Sequence, residues 1–356
     1  MNKGEELIDW YIINKRDLPW RKTRDPYRVW LSEIILQQTR IAQGLSYYEN
    51  ITEKYPNVYL LAAAPEDEIL KIWQGLGYYT RARNMLACAR IICEKYNGKF
   101  PQSHKELICL PGIGTYTASA IASIAFNLKE VVMDGNAIRV FSRLFGINYL
   151  PQNIKQMQEY TQIGLEFMDQ CSPAIFNQAL MEFGALFCTP GKPDCLNCIF
   201  KKLCFAYNND SVNIFPPKKH KIVLKHRFFH YFIFRLGDYT FIKQRIQNDI
   251  WKKLFEFPLI ESLDEQIVLE ENAVWFEMQE GLKIDSIKIN ATLLHTLTHQ
   301  KIHLNFYEVD ISFAQSDSYI LLNYKKVETE NLKKFAFPIP LYKMIEKSFD
   351  NETQRS

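Results

Sequence analysis

Up to Cys204 the apolar positions recur at the three-and-four spacing of a helix face, over 10–13, 27–43, 66–73, 82–96, 117–126, 137–145 and 173–187. That pattern predicts an all-α half. Near residue 210 the chain changes character. Asn208, Asn209, Asp210, the pair Pro216-Pro217 and several lysines favour an extended, solvated linker over 207–226. Beyond it the apolar runs shorten to strand length. The runs 228–236 and 239–243 flank Gly237-Asp238, a dipeptide suited to a two-residue hairpin turn. The runs 291–297 and 302–311 flank a short polar turn, and 341–348 reads as a closing helix. The second half is therefore expected to be α+β, dividing the chain into 1–206, a linker at 207–226, and 227–350.

With 356 residues, 47% of them hydrophobic, the chain has material for more than one core, in keeping with two domains. A formal net charge of +3 permits nucleic-acid binding without demanding it. The opening segment from Met1 to Trp10 has no apolar signal core, and no uninterrupted apolar run approaches the ~18 residues that span a membrane. A cytoplasmic protein with no membrane partner is the expectation.

Cys188, Cys195, Cys198 and Cys204 form the ladder C-x6-C-x2-C-x5-C. The x2 step places two sulfurs on one tight turn while the longer loops bring in the others, a pattern that can wrap one [4Fe–4S] cluster. A four-cysteine zinc site is the alternative. Zinc modules usually repeat two C-x2-C knuckles, and only Cys195 and Cys198 make one here. Cys88, Cys93, Cys109 and Cys171 are scattered among apolar residues and read as core filler.

Leu110-Pro111-Gly112-Ile113-Gly114 falls between two helical stretches. Gly112 and Gly114 let the backbone turn sharply and present amides at a helix N-terminus, where a phosphate is stabilised without any base-reading side chain. Glu33 has Val29, Trp30, Leu36 and Gln37 as same-face neighbours, so its carboxyl is expected to be desolvated and to hold a proton near neutrality. A partly buried glutamate paired to an arginine is the plainer alternative. Asp134 follows Val131-Val132-Met133 and precedes a helix, which is also where an N-cap sits.

The hairpin, Val132-Met133-Asp134-Gly135-Asn136 and the cysteine ladder together resemble the endonuclease III superfamily of helix–hairpin–helix DNA glycosylases, and within it the MutY-type adenine glycosylases. The likeness extends to Leu18-Pro19-Trp20-Arg21, Trp30 to Glu33, Leu36 to Thr39, Trp73 to Tyr79 and Phe176-Asn177-Gln178, with a weaker match beyond residue 227. It implies an all-α glycosylase domain with a cluster loop followed by a Nudix-like α+β domain, a monomer on double-stranded DNA carrying adenine opposite 8-oxoguanine or guanine.

By the same resemblance Glu33 is the general acid that protonates adenine, and Asp134 stays ionised beside the sugar. Tyr116 stands where strand-cleaving members carry a nucleophilic lysine, which implies a monofunctional enzyme. Gln38 and Tyr78 are implied to enter the base stack, Thr39 and Leu76 to contact the opposite base, and Trp20, Arg21 and Gln178 to line the adenine pocket. The Nudix metal box G-x5-E-x7-R-E-x2-E-E is missing from the sequence, so the second domain is expected to sense the lesion without hydrolase activity. Where family members often place Phe-Ser-His in the lesion-contacting hairpin, this chain has Leu297-Thr298-His299, which keeps a hydroxyl and a ring donor.

Overall fold

A computed structural model of the protein describes residues 2–218, 223–264, 267–269 and 272–349. The chain forms two compact units, one comprising Met1–Ala64 and Arg83–His220, the other Pro65–Ala82 and Lys221–Ser356.

The first unit is helical, as the periodicity predicts. Its helices start where the sequence supplies caps: Asp25 accepts from the Tyr27 amide with Pro26 at the first helical position, Asn153 accepts from the Gln156 amide, and Pro173 opens Pro173–Leu186. The predicted helix over 27–43 is two helices, Pro26–Leu36 and Ile41–Lys54. The break falls at Gln38, whose φ of 56° lies in the left-handed region and cannot continue a right-handed helix. The core is aromatic. Phe141, Phe167, Phe176, Phe183 and Phe200 are all buried, and Trp10 packs edge-on against Phe183 with ring centroids 5.0 Å apart.

The polar stretch after Asn208 is less extended than its composition implies. Phe205–Asn208 is a short helix, and Phe215 is 9% exposed and belongs to the core of the first unit. Two apolar side chains, Val212 and Phe215, outweigh the polar residues around them because each has a hydrophobic surface to cover.

The second unit is built on a mixed sheet. Its strands are β1 (Lys225–Leu236), β2 (Tyr239–Gln244), β3 (Phe255–Glu256), β4 (Leu259–Ser262), β5 (Leu282–Thr296), β6 (Gln300–Ala314) and β7 (Lys325–Glu328). The order is β3-β2-β1-β6-β5, with β4 paired to β1 and β7 to β2. The expected turn at Gly237-Asp238 joins β1 to β2 antiparallel, Gly237 adopting φ 58°. β1 runs parallel to β6 from Lys225↔Gln300 to Arg235↔Asp310. As the central strand it is buried on both faces. Phe229, Tyr231 and Ile233 pack on the side of helix Ile339–Phe349, while Phe232 and Phe234 pack with Trp275 and Met278. Among the described residues no helix is long and apolar enough to cross a membrane.

Candidate active site

A cleft in the first unit, with about 840 Å³ of empty space counting the part open to solvent, is lined by Trp20, Arg21, Glu33, Thr39, Tyr116, Asp134 and Gln178, together with Arg16, Met181 and Glu182. Its floor is apolar. Val29, Ala120, Ile124 and Val132 form a small buried cluster against which Tyr116 and Met181 pack. Helix Pro26–Leu36 thus meets helix Thr115–Ile124 through side chains that leave Glu33 beside Tyr116. The Tyr116 hydroxyl donates to Glu33 Oε2 at 2.7 Å.

Glu33 keeps some exposed area because the cleft opens onto it, yet protein atoms crowd its carboxyl group. Burial drives its pKa up, the Tyr116 hydrogen bond pulls it back, and the charge of Asp134 pushes it up again, to about 7. Asp134 is held differently. As N-cap of helix Gly135–Phe145 its Oδ1 accepts from the Ala137 amide at 2.7 Å, and its Oδ2 accepts from Asn136 Nδ2 at 2.7 Å. Burial raises its pKa, and these donors and Arg139, which favour the anion, offset that only in part. The N-cap role expected on plain grounds and the cleft position therefore coexist. The segment leading to Asp134 is pinned by buried Asn177, which accepts from the Val132 amide at 2.9 Å and donates to the Glu130 carbonyl at 2.8 Å.

The opposite wall carries a feature that the sequence does not flag. Glu182, almost fully buried, accepts from both guanidinium nitrogens of Arg21 at 2.7 Å and from Arg16 Nε at 3.0 Å. Burial opposes ionisation, but the hydrogen bonds from Arg21 and Arg16 win and hold its pKa at about 2. Read in sequence, Glu182 is a helix charge like any other. Its partners lie more than 160 positions away, beyond the reach of any local signal. Gln178 is anchored too, accepting from the Tyr11 hydroxyl at 3.3 Å and donating to the Ala174 carbonyl at 3.0 Å.

Gly112 adopts φ 76°, and a Cβ there would come within 2.8 Å of the Asn84 Cβ. Gly114 caps helix Thr115–Ile124 without a side chain, leaving the first-turn amides with no side-chain cap. Gln38 is exposed near the cleft-lining Thr39. Leu76 and Tyr78 are in the second unit. Leu76 is buried, whereas Tyr78 is exposed, has φ 50°, and hydrogen-bonds the Thr298 hydroxyl. Thr298 and His299 are exposed in the turn between β5 and β6, closed by the Leu297 amide donating to the Gln300 carbonyl at 2.8 Å.

The four ladder cysteines line one recess with Val140, Leu144, Phe183 and Phe187, with about 400 Å³ of empty space counting the part open to solvent. Among the described residues no three His, Cys, Asp or Glu side chains converge on the place of a single metal ion. Arg143 spans the recess edge, donating to the Cys188 sulfur at 3.4 Å and to the carbonyls of Thr189 at 2.7 Å and Phe215 at 3.0 Å. Burial, opposed by the Phe200 amide and reinforced by the neighbouring cysteines, raises the thiol of Cys198 to about 12. An all-sulfur donor set in an apolar recess, bordered by a guanidinium, fits a cationic centre that keeps the thiolates ionised.

Comparison with known proteins places this geometry. The model of the HhH-GPD superfamily base excision DNA repair protein matches residues 31–164, and the NUDIX domain model matches residues 230–347. The adenine DNA glycosylase of Buchnera aphidicola subsp. Baizongia pistaciae is 34% identical over 355 residues, covering 96% of this chain and 95% of that protein. The adenine DNA glycosylase of Homo sapiens is 41% identical over 209 residues, covering 56% of this chain and 38% of that protein. Among solved structures, a thermostable thymine-DNA glycosylase superposes with TM-score 0.53 at 30% identity, covering 58% of this chain and 95% of that one. A non-covalent endonuclease III–DNA complex shares the fold, with TM-score 0.50 at 24% identity, over 58% of this chain and 94% of that one.

Proposed function

The chain belongs to the adenine DNA glycosylase family, and from that premise we propose a monofunctional base excision repair enzyme that flips adenine mispaired with 8-oxoguanine or guanine and hydrolyses its N-glycosidic bond. The observation that carries this reading is the pairing of Glu33 with Tyr116 beside Asp134 in one cleft. Glu33, with a pKa of about 7, holds a proton at neutral pH and delivers it to N7 of the flipped adenine. The C1′–N9 bond then breaks with its electron pair passing to the protonated base. Asp134, whose carboxylate accepts from the Ala137 amide and Asn136, faces the cationic sugar. Water adds to C1′ and gives its proton to the Glu33 carboxylate, which restores the acid. Adenine is a poor leaving group until protonated, and such assistance supplies roughly 10²–10⁴-fold in rate.

Tyr116 cannot form a Schiff base, and the lining residues of the cleft include no lysine among those described. This supports a glycosylase without strand cleavage. Gln38 and Tyr78 both hold a backbone conformation that non-glycine residues rarely adopt, which favours them as the residues entering the base stack. The uncapped amides after Gly114 suit a DNA phosphate. Cys188, Cys195, Cys198 and Cys204 would hold a [4Fe–4S] cluster. Bound there, it would order the loop carrying Lys201 and Lys202. The ladder has a single C-x2-C step where zinc modules usually repeat two, which suits a multi-iron group better than one zinc ion. In the second unit, the exposed Thr298 hydroxyl and His299 ring are the groups we assign to reading the N7–H and O8 that distinguish 8-oxoguanine from guanine.

The test is single-turnover excision on duplexes carrying adenine opposite 8-oxoguanine, adenine opposite guanine, and an oxidised pyrimidine. Adenine release from the first two, faster opposite 8-oxoguanine and without strand breaks, is expected. Release of the pyrimidine with strand cleavage would sink the reading.

A further inference from the structure

Residues Pro65–Ala82 lie within the helical half by sequence order, yet they pack with the second unit. The contacts are specific. Lys71 Nζ donates to the Phe335 carbonyl at 3.3 Å and sits 4.7 Å above the Tyr342 ring. Gln74 Oε1 accepts from Lys71 Nζ at 3.1 Å and from the Phe337 amide at 3.3 Å. Asp67 accepts from Gln244 Nε2 at 3.1 Å. Phe337 is fully buried in the core beneath the sheet, so the backbone gripped by Gln74 and Lys71 is a rigid one.

From that grip the chain turns directly into the loop bearing Tyr78. Gly75 and Gly77 have φ of 101° and 76°, the Trp73 indole donates to the Gly77 carbonyl at 3.0 Å, and Arg81 lies over the rings of Trp73 and Tyr78 at 5.2 and 5.7 Å. At the far end Tyr78 meets Thr298 hydroxyl to hydroxyl. A continuous chain of packed groups thus runs from Phe335–Phe337 through Lys71 and Gln74 to Tyr78 and Thr298.

We propose that Lys71 and Gln74 are positioning residues for lesion discrimination, latching the Tyr78 loop to the second unit so that Tyr78 and Thr298 act as one reader. The inference rests on the reading that 8-oxoguanine is recognised at the Thr298 hairpin. Were the segment a passive part of the helical half, the latch would have no bearing on which opposite base is preferred. With the latch, loosening one end displaces Tyr78 from Thr298 at the other, and the hydroxyl pair no longer presents a fixed donor and acceptor.

Single-turnover excision with the full-length protein tests this, on adenine opposite 8-oxoguanine and opposite guanine. Gln74→Ala, which removes the acceptor for both Lys71 and the Phe337 amide, should lower the ratio of the two rates about five- to tenfold, the loss expected from one or two hydrogen bonds. Gln74→Glu keeps that acceptor and should keep the ratio. Lys71→Met retains packing on Tyr342 without the ammonium and should lower the ratio, while Lys71→Arg should restore it. Combined with Thr298→Ala, Gln74→Ala should lower the ratio no further than Thr298→Ala alone, because both break the same reader. An unchanged ratio in Gln74→Ala and Lys71→Met, alongside a normal wild-type preference that Thr298→Ala abolishes, would overturn the inference alone. Multiplying losses in the double variant would overturn it as well. Equal wild-type rates on the two mispairs would overturn the lesion reading and this inference with it.

Discussion

The Tyr116 hydroxyl donates to Glu33 Oε2 at 2.7 Å, and that direction of donation sets the strength of the acid. A buried carboxyl left to itself would hold its proton too tightly to release it. An O–H donor stabilises the carboxylate and lowers the pKa, so burial and Tyr116 pull against each other and settle at about 7. An acid poised there is half-charged at neutral pH and exchanges its proton with least penalty in either direction.

Tyr116→Phe should therefore strengthen the grip of Glu33 on its proton. The side chain keeps its ring against Ala120 and Met181, so folding is retained. With the donor gone, the pKa of Glu33 rises and the alkaline limb of the single-turnover rate profile moves to higher pH. A limb that stays in place or moves down would show that the hydroxyl does not tune the acid.

Glu33→Gln should lose about 10²–10⁴-fold in excision rate while retaining DNA affinity, because the amide keeps the shape and carries no acidic proton. The same variant should be more stable at neutral pH. The folded-state pKa of Glu33, about 7, lies above its ordinary value of 4.5, so folding binds a proton between those limits. Stability from this group is full below about pH 4.5 and declines as pH rises through 7, by on the order of 3 kcal/mol before water entering the cleft reduces it. Thermal midpoints of wild type and variant should accordingly diverge from pH 5 to pH 8, the variant lying higher at pH 8. Parallel midpoints across that range would remove the stability cost assigned to the acid.

Which parts of this were legible in the sequence follows from the range of each interaction. The cysteine ladder is a matter of spacing within 17 positions, and all four thiols line one recess. Helix Pro173–Leu186 starts where Pro173 requires it. The break at Gln38 is not legible, since no glycine or proline marks it. β5 extends from Leu282, well before the predicted 291, and this part was legible, because Leu282 and Ile284 alternate with Lys283 and Asp285 at the period of a strand. Periodicity predicts that 66–73 is helical but not which core its face covers, so the grouping of Pro65–Ala82 with the second unit emerges only in three dimensions. The Arg16–Glu182–Arg21 cluster is invisible for the same reason.

Asp134→Asn separates charge from capping. Asparagine caps a helix as well as aspartate does, so the thermal midpoint should change little. Excision should still fall by about 10²-fold or more, because the neutral amide no longer stabilises a sugar cation. A variant with normal excision would leave Asp134 as a cap alone. One that loses stability and activity in proportion would point to misfolding of helix Gly135–Phe145 instead.

Phe215→Ala should reach the cysteine recess through the backbone. The ring is 9% exposed and packs edge-on against Phe205 with centroids 5.8 Å apart, one residue beyond Cys204. Its carbonyl accepts from Arg143 Nε at 3.0 Å, and the same guanidinium donates to the Cys188 sulfur and the Thr189 carbonyl. Truncating a buried phenylalanine costs about 3–5 kcal/mol, which here loosens the segment that holds Arg143 against the thiols. Wild-type protein should purify brown with about four irons per chain. The variant should bind less iron and release it faster on mild heating, while Val212→Ala, a smaller truncation on the same segment, should show a weaker effect in the same direction. Full iron occupancy and unchanged release in Phe215→Ala would mean that the Phe215 ring is dispensable to the recess, and that Arg143 is held well enough by its carbonyl partners and Cys188.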